Sequence, residues 1–315
     1  MRVSARSRST LFAGLATTAL VLSGCDSNGS GSGDVTLGFV NGGDTSFHTC
    51  LQKAVEQTAK AENAKVYTAN SHQNAGTETS NIEDMISRDV SALIVQTVNV
   101  DSLKGDIAKA KAAKVPIYLT SVSTSDVNDI LGAAVVDLGK VGSLDAGWIA
   151  EDAGSGKVEV GIVAGAPGAA SDLLVNGFKG ALPTSAKVVA DQPGMFNPAK
   201  AQDVAQNMIE AHPGLDYAFV ANEEMAFAVR KAFDAAGHRN VKIVTVNGTD
   251  EGVAAVKSGA FSATVANSAK TIGDTAVKNA IALLDAKQGV DKIANIPLVL
   301  VTKDNLSAAP QYCPK

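Results

Sequence analysis

Residues 91–120 read SALIVQTVNVDSLKGDIAKAKAAKVPIYLT, and their pattern decides the fold class. The apolar runs at 92–96 and 115–119 predict two buried strands, and the Ala- and Lys-rich segment 102–113 between them predicts a helix. Continuous apolar strands that alternate with amphipathic helices are typical of a parallel sheet covered on both faces. This stretch therefore predicts an α/β protein.

The same alternation extends in both directions from this unit. Upstream, the pattern predicts strands at 35–40 and 66–68 and helices at 47–62 and 77–87. Downstream it predicts strands at 130–136, 158–163, 187–190, 217–220, 241–246, 262–265 and 296–301, and helices at 139–153, 169–181, 198–211, 223–236, 249–258 and 271–286. The chain is thus predicted to form two doubly wound parallel-sheet lobes in tandem, with about a dozen strands.

Two such lobes predict where a ligand would bind. Ligands of doubly wound sheets lie beyond the carboxyl ends of the strands. When two lobes face each other, these ends border a cleft that hinge motion can close. The residues that directly follow each predicted strand are therefore the candidates for a binding site.

Carboxamides are frequent at these strand ends: Gln96, Asn222, Asn247 and Asn267. A carboxamide both donates and accepts hydrogen bonds, as a sugar hydroxyl does, and it carries no net charge. Phe47 and Phe196 also follow strands and could stack on the C–H face of a sugar ring. Each polar residue has an alternative interpretation as a helix N-cap or a turn residue, and Phe47 could belong to the core.

The N-terminal residues have the pattern of an export signal. Three arginines precede an uncharged apolar run at 11–22, which is shorter than the roughly 20 residues of a membrane-spanning helix. Leu22-Ser23-Gly24-Cys25 resembles the bacterial lipobox. That resemblance implies a signal peptide at 1–24, a lipidated Cys25 and a flexible Gly/Ser tether at 25–33. The alternative is a soluble secreted protein with a chance cysteine near the cleavage site.

The chain has three cysteines, Cys25, Cys50 and Cys313. If Cys25 carries lipid, two remain, and outside the cytosol a remaining pair is usually oxidised. We therefore predict a disulfide between Cys50 and Cys313 that holds the C-terminal tail to the first lobe. The alternative is two unpaired thiols.

Composition and motifs argue against several other classes of protein. The net charge is −5, and no basic patch suggests contact with nucleic acid. The four histidines lack metal-ligand spacing, and neither a Gly-x-Ser-x-Gly elbow nor a phosphate-binding loop is present. We expect no metal, no cofactor and no enzymatic activity. A hydrolytic enzyme is the remote alternative.

A family resemblance rests on motifs in the second half of the chain. These are Ala211-His212-Pro213-Gly214, Phe219-Val220-Ala221-Asn222-Glu223-Glu224-Met225-Ala226, Asn247-Gly248-Thr249, Ala263-Thr264-Val265-Ala266-Asn267 and Ile272-Gly273. From residue 35 to about 304 the chain resembles the periplasmic binding proteins of the ribose-binding type, which serve sugar ABC transporters. The resemblance implies a three-segment hinge between an N-terminal lobe (34–136 plus 268–297) and a C-terminal lobe (137–267 plus 298–315).

The resemblance also implies that Phe47, Gln96, Ser121, Phe196, Asn222, Asn247 and Asn267 bind the ligand. His48 stands where the family often has a second aromatic residue, and the alternative is a solvent-facing helix residue. Asp137, which follows a predicted strand, completes the predicted set of ligand-binding residues. Positions matching Val122 and Leu174 line the cleft in the family as well. Ribose-type members have an Asp-Arg pair at Ser121-Val122, an Arg at Leu174 and an Asp at Asn247. These charged residues are absent here, so a different neutral sugar or a linear sugar alcohol is the expected ligand.

The sequence therefore predicts a lipid-anchored, extracytoplasmic solute-binding protein, expected to be a monomer. Its partners would be a small sugar or polyol, the membrane reached through the lipid anchor and the membrane permease of an ABC transporter. A carbohydrate-sensing receptor without transport is the alternative that the sequence does not distinguish. Sugar-responsive DNA-binding repressors share this core by resemblance, but they carry a helix-turn-helix where this chain has a signal and a tether.

Overall fold

The computed structural model describes residues 35–315. The predicted signal peptide, the tether and Cys25 lie outside the described residues. The described residues belong to one compact unit. Within the described range, no helix combines the length and the apolar character needed to span a membrane.

The described residues form twelve strands, and four of them are buried along their whole length. They are β1 (Thr36–Asn41), β2 (Lys65–Asn70), β3 (Ala92–Val95), β4 (Ile117–Ser121), β5 (Gly132–Val135), β6 (Val158–Ala164), β7 (Ala186–Pro193), β8 (Tyr217–Val220), β9 (Lys242–Asn247), β10 (Ala263–Ala266), β11 (Ile293–Asn295) and β12 (Val299–Val301).

Nine α-helices and a short 3₁₀ turn at Leu306–Ala308 complete the described part of the chain. The helices are α1 (Ser46–Ala61), α2 (Ala75–Ser87), α3 (Leu103–Ala112), α4 (Leu138–Ala153), α5 (Ala169–Ala181), α6 (Pro198–Ala211), α7 (Glu223–Ala235), α8 (Asp250–Ser258) and α9 (Ala269–Leu284). Every predicted helix is present, with ends within two residues of the prediction, because the apolar period of each segment matches the helical repeat.

The strands form two six-stranded sheets. The first has the order β11-β5-β4-β3-β1-β2 and the second the order β12-β10-β9-β8-β6-β7. All neighbouring strands are parallel except β12, which runs antiparallel to β10 at the edge of the second sheet. The prediction of two doubly wound α/β lobes is confirmed, with an antiparallel edge strand as an addition.

The predicted last strand at 296–301 is present only in its second half, as β12, and β11 at 293–295 was not predicted. The structure has β11 in the first sheet and β12 in the second, with residues 296–298 passing between them. Pro297 lies in this passage, and a proline cannot donate to a strand ladder. The chain thus passes between the sheets three times: after β5, after β10 and between β11 and β12.

The C-terminal tail returns to the helices of the first sheet. The Lys270 amide donates to the Tyr312 carbonyl (2.9 Å), and the Ser268 hydroxyl donates to the Gln311 carbonyl (2.6 Å). The Gln57 side chain of α1 donates to the carbonyl of Lys315 (3.2 Å). The predicted boundary assigned all of 298–315 to the second lobe, but these contacts hold the last residues against α1 and α9.

A disulfide joins Cys50 of α1 to Cys313 of the tail, which confirms the predicted pairing. The two cysteines are 263 residues apart in sequence. A crosslink over so long a loop removes much of the conformational freedom of the unfolded chain. The bond is therefore expected to stabilise the fold and to keep the tail on the first lobe.

Replacing both cysteines, as Cys50→Ala with Cys313→Ala, is expected to lower the free energy of unfolding by about 2–5 kcal/mol. Urea unfolding followed by circular dichroism measures this change. Dithiothreitol should destabilise the unaltered protein and leave the double variant unaffected. Equal unfolding midpoints for the oxidised protein and the double variant would contradict the expectation.

Candidate ligand-binding site

A cavity of about 230 Å³ lies where the carboxyl ends of the two sheets meet. This volume suits a small molecule rather than a drug-sized ligand. Eight of the nine residues predicted from the sequence line it: Phe47, His48, Gln96, Ser121, Phe196, Asn222, Asn247 and Asn267. Residues that are far apart in sequence are thus brought to one cavity from the ends of different strands.

Asp137 is the predicted residue that does not line the cavity. Its carboxylate accepts a hydrogen bond from the backbone N–H of Lys140 (2.8 Å) and caps the N-terminus of α4. Asp137 is exposed, and the next residue, Leu138, contributes to the cavity instead. The prediction for Asp137 is therefore corrected: helix capping accounts for an aspartate at this strand end.

Asn222 both caps a helix and lines the cavity. Its Oδ1 accepts a hydrogen bond from the Met225 backbone (2.9 Å) at the start of α7. This bond fixes the orientation of the carboxamide and leaves its Nδ2 group available to a ligand. The two interpretations of this residue are therefore compatible.

Two polar atoms at the cavity are buried without partners. Among residues 35–315, Oγ of Ser121 and Oδ1 of Asn267 both lack a hydrogen-bond partner. An unpaired buried polar group costs about 1–3 kcal/mol. A ligand with hydroxyl groups could supply the missing partners, so both atoms are candidates for ligand contacts.

Several cavity residues have left-handed backbone conformations that non-glycine residues rarely adopt. The φ angles are +68° at Ser121, +50° at Phe196, +140° at Asn247 and +58° at Gln73. Such positions cost about 1–3 kcal/mol each and concentrate at functional sites. The surrounding fold therefore maintains these residues at a cost to its own stability.

Phe196 reaches the cavity because residue 165 is a glycine. A Cβ atom at Gly165 would lie 2.1 Å from Cζ of the Phe196 ring. The turn that follows, with Ala166 and Pro167, also lines the cavity. The sequence-based site omitted this turn, although its place after β6 was a usable signal because it is equivalent to that of the other strand-end residues.

His48 contributes a neutral ring to the cavity. Its Nδ1 is hydrogen-bonded to the Thr45 hydroxyl (2.8 Å). Burial lowers the pKa of His48 from 6.5 to about 4, and a hydrogen bond with Gln96 and the charge of Asp44 oppose this shift only in part. The imidazole is therefore uncharged at neutral pH.

The cavity as a whole carries no formal charge at neutral pH. Of the described residues that line it, none is Asp, Glu, Lys or Arg. Burying an unpaired ion in such a cavity would be costly. The lining therefore favours a neutral ligand.

The Glu223 carboxylate supports the segments that carry Asn222, Asn247 and Asn267, which form the amide side of the cavity. Oε1 accepts from the Gly248 amide (2.9 Å) and the Thr264 hydroxyl (2.7 Å), and Oε2 accepts from the amide (2.9 Å) and hydroxyl (2.5 Å) of Thr249. Burial raises the pKa of Glu223, and these bonds oppose the shift. The carboxylate thereby joins α7 to β10 and to the turn after β9, next to Asn247.

Known proteins share both the sequence pattern and the fold. A profile of the family described as "Periplasmic binding protein domain" matches residues 37–288. The chain belongs to the periplasmic binding protein family. Membership makes it a binding protein rather than an enzyme.

Two curated relatives and one solved structure illustrate the likeness. The chain is 28% identical to the ribose import binding protein of Bacillus subtilis, over 88% of this chain and 90% of that protein. It is 26% identical to a xylitol-binding protein of Mycolicibacterium smegmatis, over 85% and 77%. An ABC transporter solute-binding protein of Bacillus halodurans with bound myo-inositol superposes with a TM-score of 0.83 at 22% identity, covering 89% of this chain and 98% of that one.

Glu223→Gln is expected to lower the free energy of unfolding by about 2–3 kcal/mol, because an amide offers its NH₂ group to donors that need an acceptor. The change should also weaken ligand binding, since Asn247 and Asn267 flank the supported segments. Thermal unfolding and isothermal titration calorimetry measure the two effects.

Glu224→Gln is the matched control for this variant. Glu224 is half-buried and accepts a single hydrogen bond from the Ser46 amide (2.9 Å). The substitution Glu224→Gln should therefore lower the free energy of unfolding by less than Glu223→Gln does. Equal losses in the two variants would contradict the supporting role of Glu223.

The His48 pKa predicts a pH dependence of stability. The unfolded chain, with a histidine pKa near 6.5, binds the proton more readily than the folded chain, with a pKa of about 4. The free energy of unfolding should therefore rise as the pH rises from about 4 to about 6.5 and should level off above that.

An NMR titration of the His48 ring should give a pKa well below 6.5. His48→Gln, which cannot titrate, should flatten the stability curve in this pH range. A ring that titrates near 6.5 would show that the imidazole is not buried as the structure describes.

Proposed function

We propose that the protein is the substrate-binding component of an ABC transporter and captures a neutral sugar or sugar alcohol for import. The observation that carries this proposal is the uncharged cavity, with carboxamides at the strand ends of both sheets. Carboxamides complement hydroxyl groups in both directions of hydrogen bonding. Membership of the periplasmic binding protein family supports the same function.

The proposed contacts divide into hydrogen bonds and stacking. Asn222, Asn247, Asn267 and Ser121 would bind hydroxyl groups, and two of these residues have buried polar atoms without protein partners. Phe47 and Phe196 would pack on the C–H faces of the ligand, as aromatic rings do in apolar contacts. His48 and Gln96 would complete the side supplied by the first sheet.

Lobe closure is the proposed way in which binding is signalled. We propose the lobes 34–136 with 268–297 and 137–267 with 298–308, and we place residues 311–315 against the first lobe. The three passages of the chain between the sheets support a hinge of this kind. A ligand that contacts residues of both lobes binds the closed form better and so shifts the population toward it.

The names of relatives support the ligand class. Curated relatives are named for ribose, xylitol and D-allose. Solved neighbours are described with bound glycerol, myo-inositol and D-allose. All of these ligands are neutral and rich in hydroxyl groups, as the uncharged cavity requires.

The proposed location is the outer face of a bacterial membrane, where the protein would act as a monomer beside its permease. This part of the proposal rests on Leu22-Ser23-Gly24-Cys25 and on the Gly/Ser tether at 25–33. A lipid at Cys25 would keep the protein near the permease while the tether leaves the lobes free to move.

A thermal-shift screen of pentoses, hexoses and sugar alcohols tests the ligand class. A ligand at about 100 times its dissociation constant should add about 2.7 kcal/mol to the free energy of unfolding. A shift with an amino acid or a nucleoside, and none with any carbohydrate, would overturn the proposal.

Asn222→Asp tests the contact residue without removing the helix cap, because the carboxylate can still accept from Met225. Loss of the Nδ2 donor should weaken binding at least tenfold, which corresponds to about 1.4 kcal/mol. The control is Asn197→Asp, since Asn197 caps α6 in the same way, is exposed and lies outside the cavity. Unchanged affinity of Asn222→Asp would remove Asn222 from the site.

A further inference from the structure

Four large apolar side chains line the cavity. Val122 after β4, Leu138 at the start of α4, Leu174 of α5 and Val246 of β9 all line the cavity. All four are buried and belong to one continuous hydrophobic cluster with the core. None of these side chains can donate or accept a hydrogen bond, so a hydroxyl group placed against them would lack a partner.

Many of the polar side chains at the cavity are already engaged within the protein. The Thr97 hydroxyl donates to Glu78 (2.7 Å), and the Ser171 hydroxyl accepts from the Gly165 amide (3.0 Å). Oε1 of Gln96 accepts from the Gly42 amide (3.1 Å). Among the described lining residues, the buried polar atoms that lack any protein partner are Oγ of Ser121 and Oδ1 of Asn267.

A ligand with a hydroxyl at every carbon fits this distribution poorly. Burying a hydroxyl without a partner is unfavourable, whereas burying a methyl group against apolar side chains is favourable. A ligand that bears both hydroxyl groups and a methyl group can satisfy both kinds of lining residue.

We propose that the ligand is a neutral sugar or polyol that carries a methyl group, and that Val122, Leu138 and Leu174 bind this group. The methyl group can be the terminal carbon of a deoxy sugar or the carbon of a methyl ether. This inference rests on the proposed function and specifies the ligand class of the same site.

Calorimetry with matched ligand pairs tests the inference on the purified protein. One arm compares 6-deoxyhexoses with their parent hexoses, such as L-fucose with L-galactose and L-rhamnose with L-mannose. The second arm compares O-methyl derivatives with the corresponding free hexoses and inositols. In the arm that matches the natural ligand, the methyl-bearing member should bind about tenfold more tightly.

Substitutions of the apolar lining residues test their assignment to the methyl group. Val122→Thr keeps the shape of the side chain and adds a hydroxyl, so it should reduce the preference for the methyl-bearing member about tenfold. Leu174→Gln should have the same effect. The control is Leu173→Gln, because Leu173 is the neighbouring residue on α5 and is 49% exposed. The ligand preference of this variant should equal that of the unaltered protein.

The possible outcomes separate this inference from the proposed function. If carbohydrates bind but the fully hydroxylated members bind as tightly or more tightly, the inference is overturned and the proposed function stands. A methyl preference that persists unchanged in Val122→Thr and Leu174→Gln also overturns the assignment of these residues. If no carbohydrate of either kind binds, the proposed function itself fails.

Discussion

The geometry of the amide side of the cavity depends on one buried carboxylate. Glu223 accepts four hydrogen bonds from the turn after β9 and from Thr264 of β10, and it lies directly after the cavity residue Asn222. A Cβ atom at Gly252 would come within 2.0 Å of this carboxyl group, so α8 has a glycine where the carboxylate needs room. Burial makes the charge costly, and the four donors offset that cost. Asn222, Asn247 and Asn267 consequently converge on one cavity.

The site combines strained backbone with unsatisfied polar groups. Ser121 has both a left-handed backbone and an unpaired buried hydroxyl, and Asn247 and Phe196 also have positive φ angles. These features reduce the stability of the ligand-free protein. A ligand that pairs the free polar atoms recovers part of that cost, which gives the cavity a physical reason to favour an occupant.

The success of the sequence-based predictions differed between elements for identifiable reasons. Helix periods predicted all nine helices, since each period depends on local spacing alone. The apolar run at 296–301 predicts one strand, but only 299–301 form β12, because residues 296–298 with Pro297 carry the chain from β11 in the first sheet to the second sheet. Among the strand-end residues, Asn222 proved to be both a cap and a cavity residue, whereas the Asp137 side chain is used in capping alone. The chemistry of the two side chains is similar, so local sequence could not distinguish them.

The sequence by itself determined the α/β class, the alternation that builds two lobes and the carboxamides at the strand ends, and it favoured the pairing of Cys50 with Cys313. These follow from hydropathy period, composition and the small number of cysteines, which are all properties of the chain before it folds. Only the tertiary structure decided that Leu138 rather than Asp137 reaches the cavity, that Glu223 points inward to the β9 turn and that Val122 and Leu174 both line the cavity. These arrangements depend on contacts between elements far apart in sequence, where strand order and close packing determine which side chains meet.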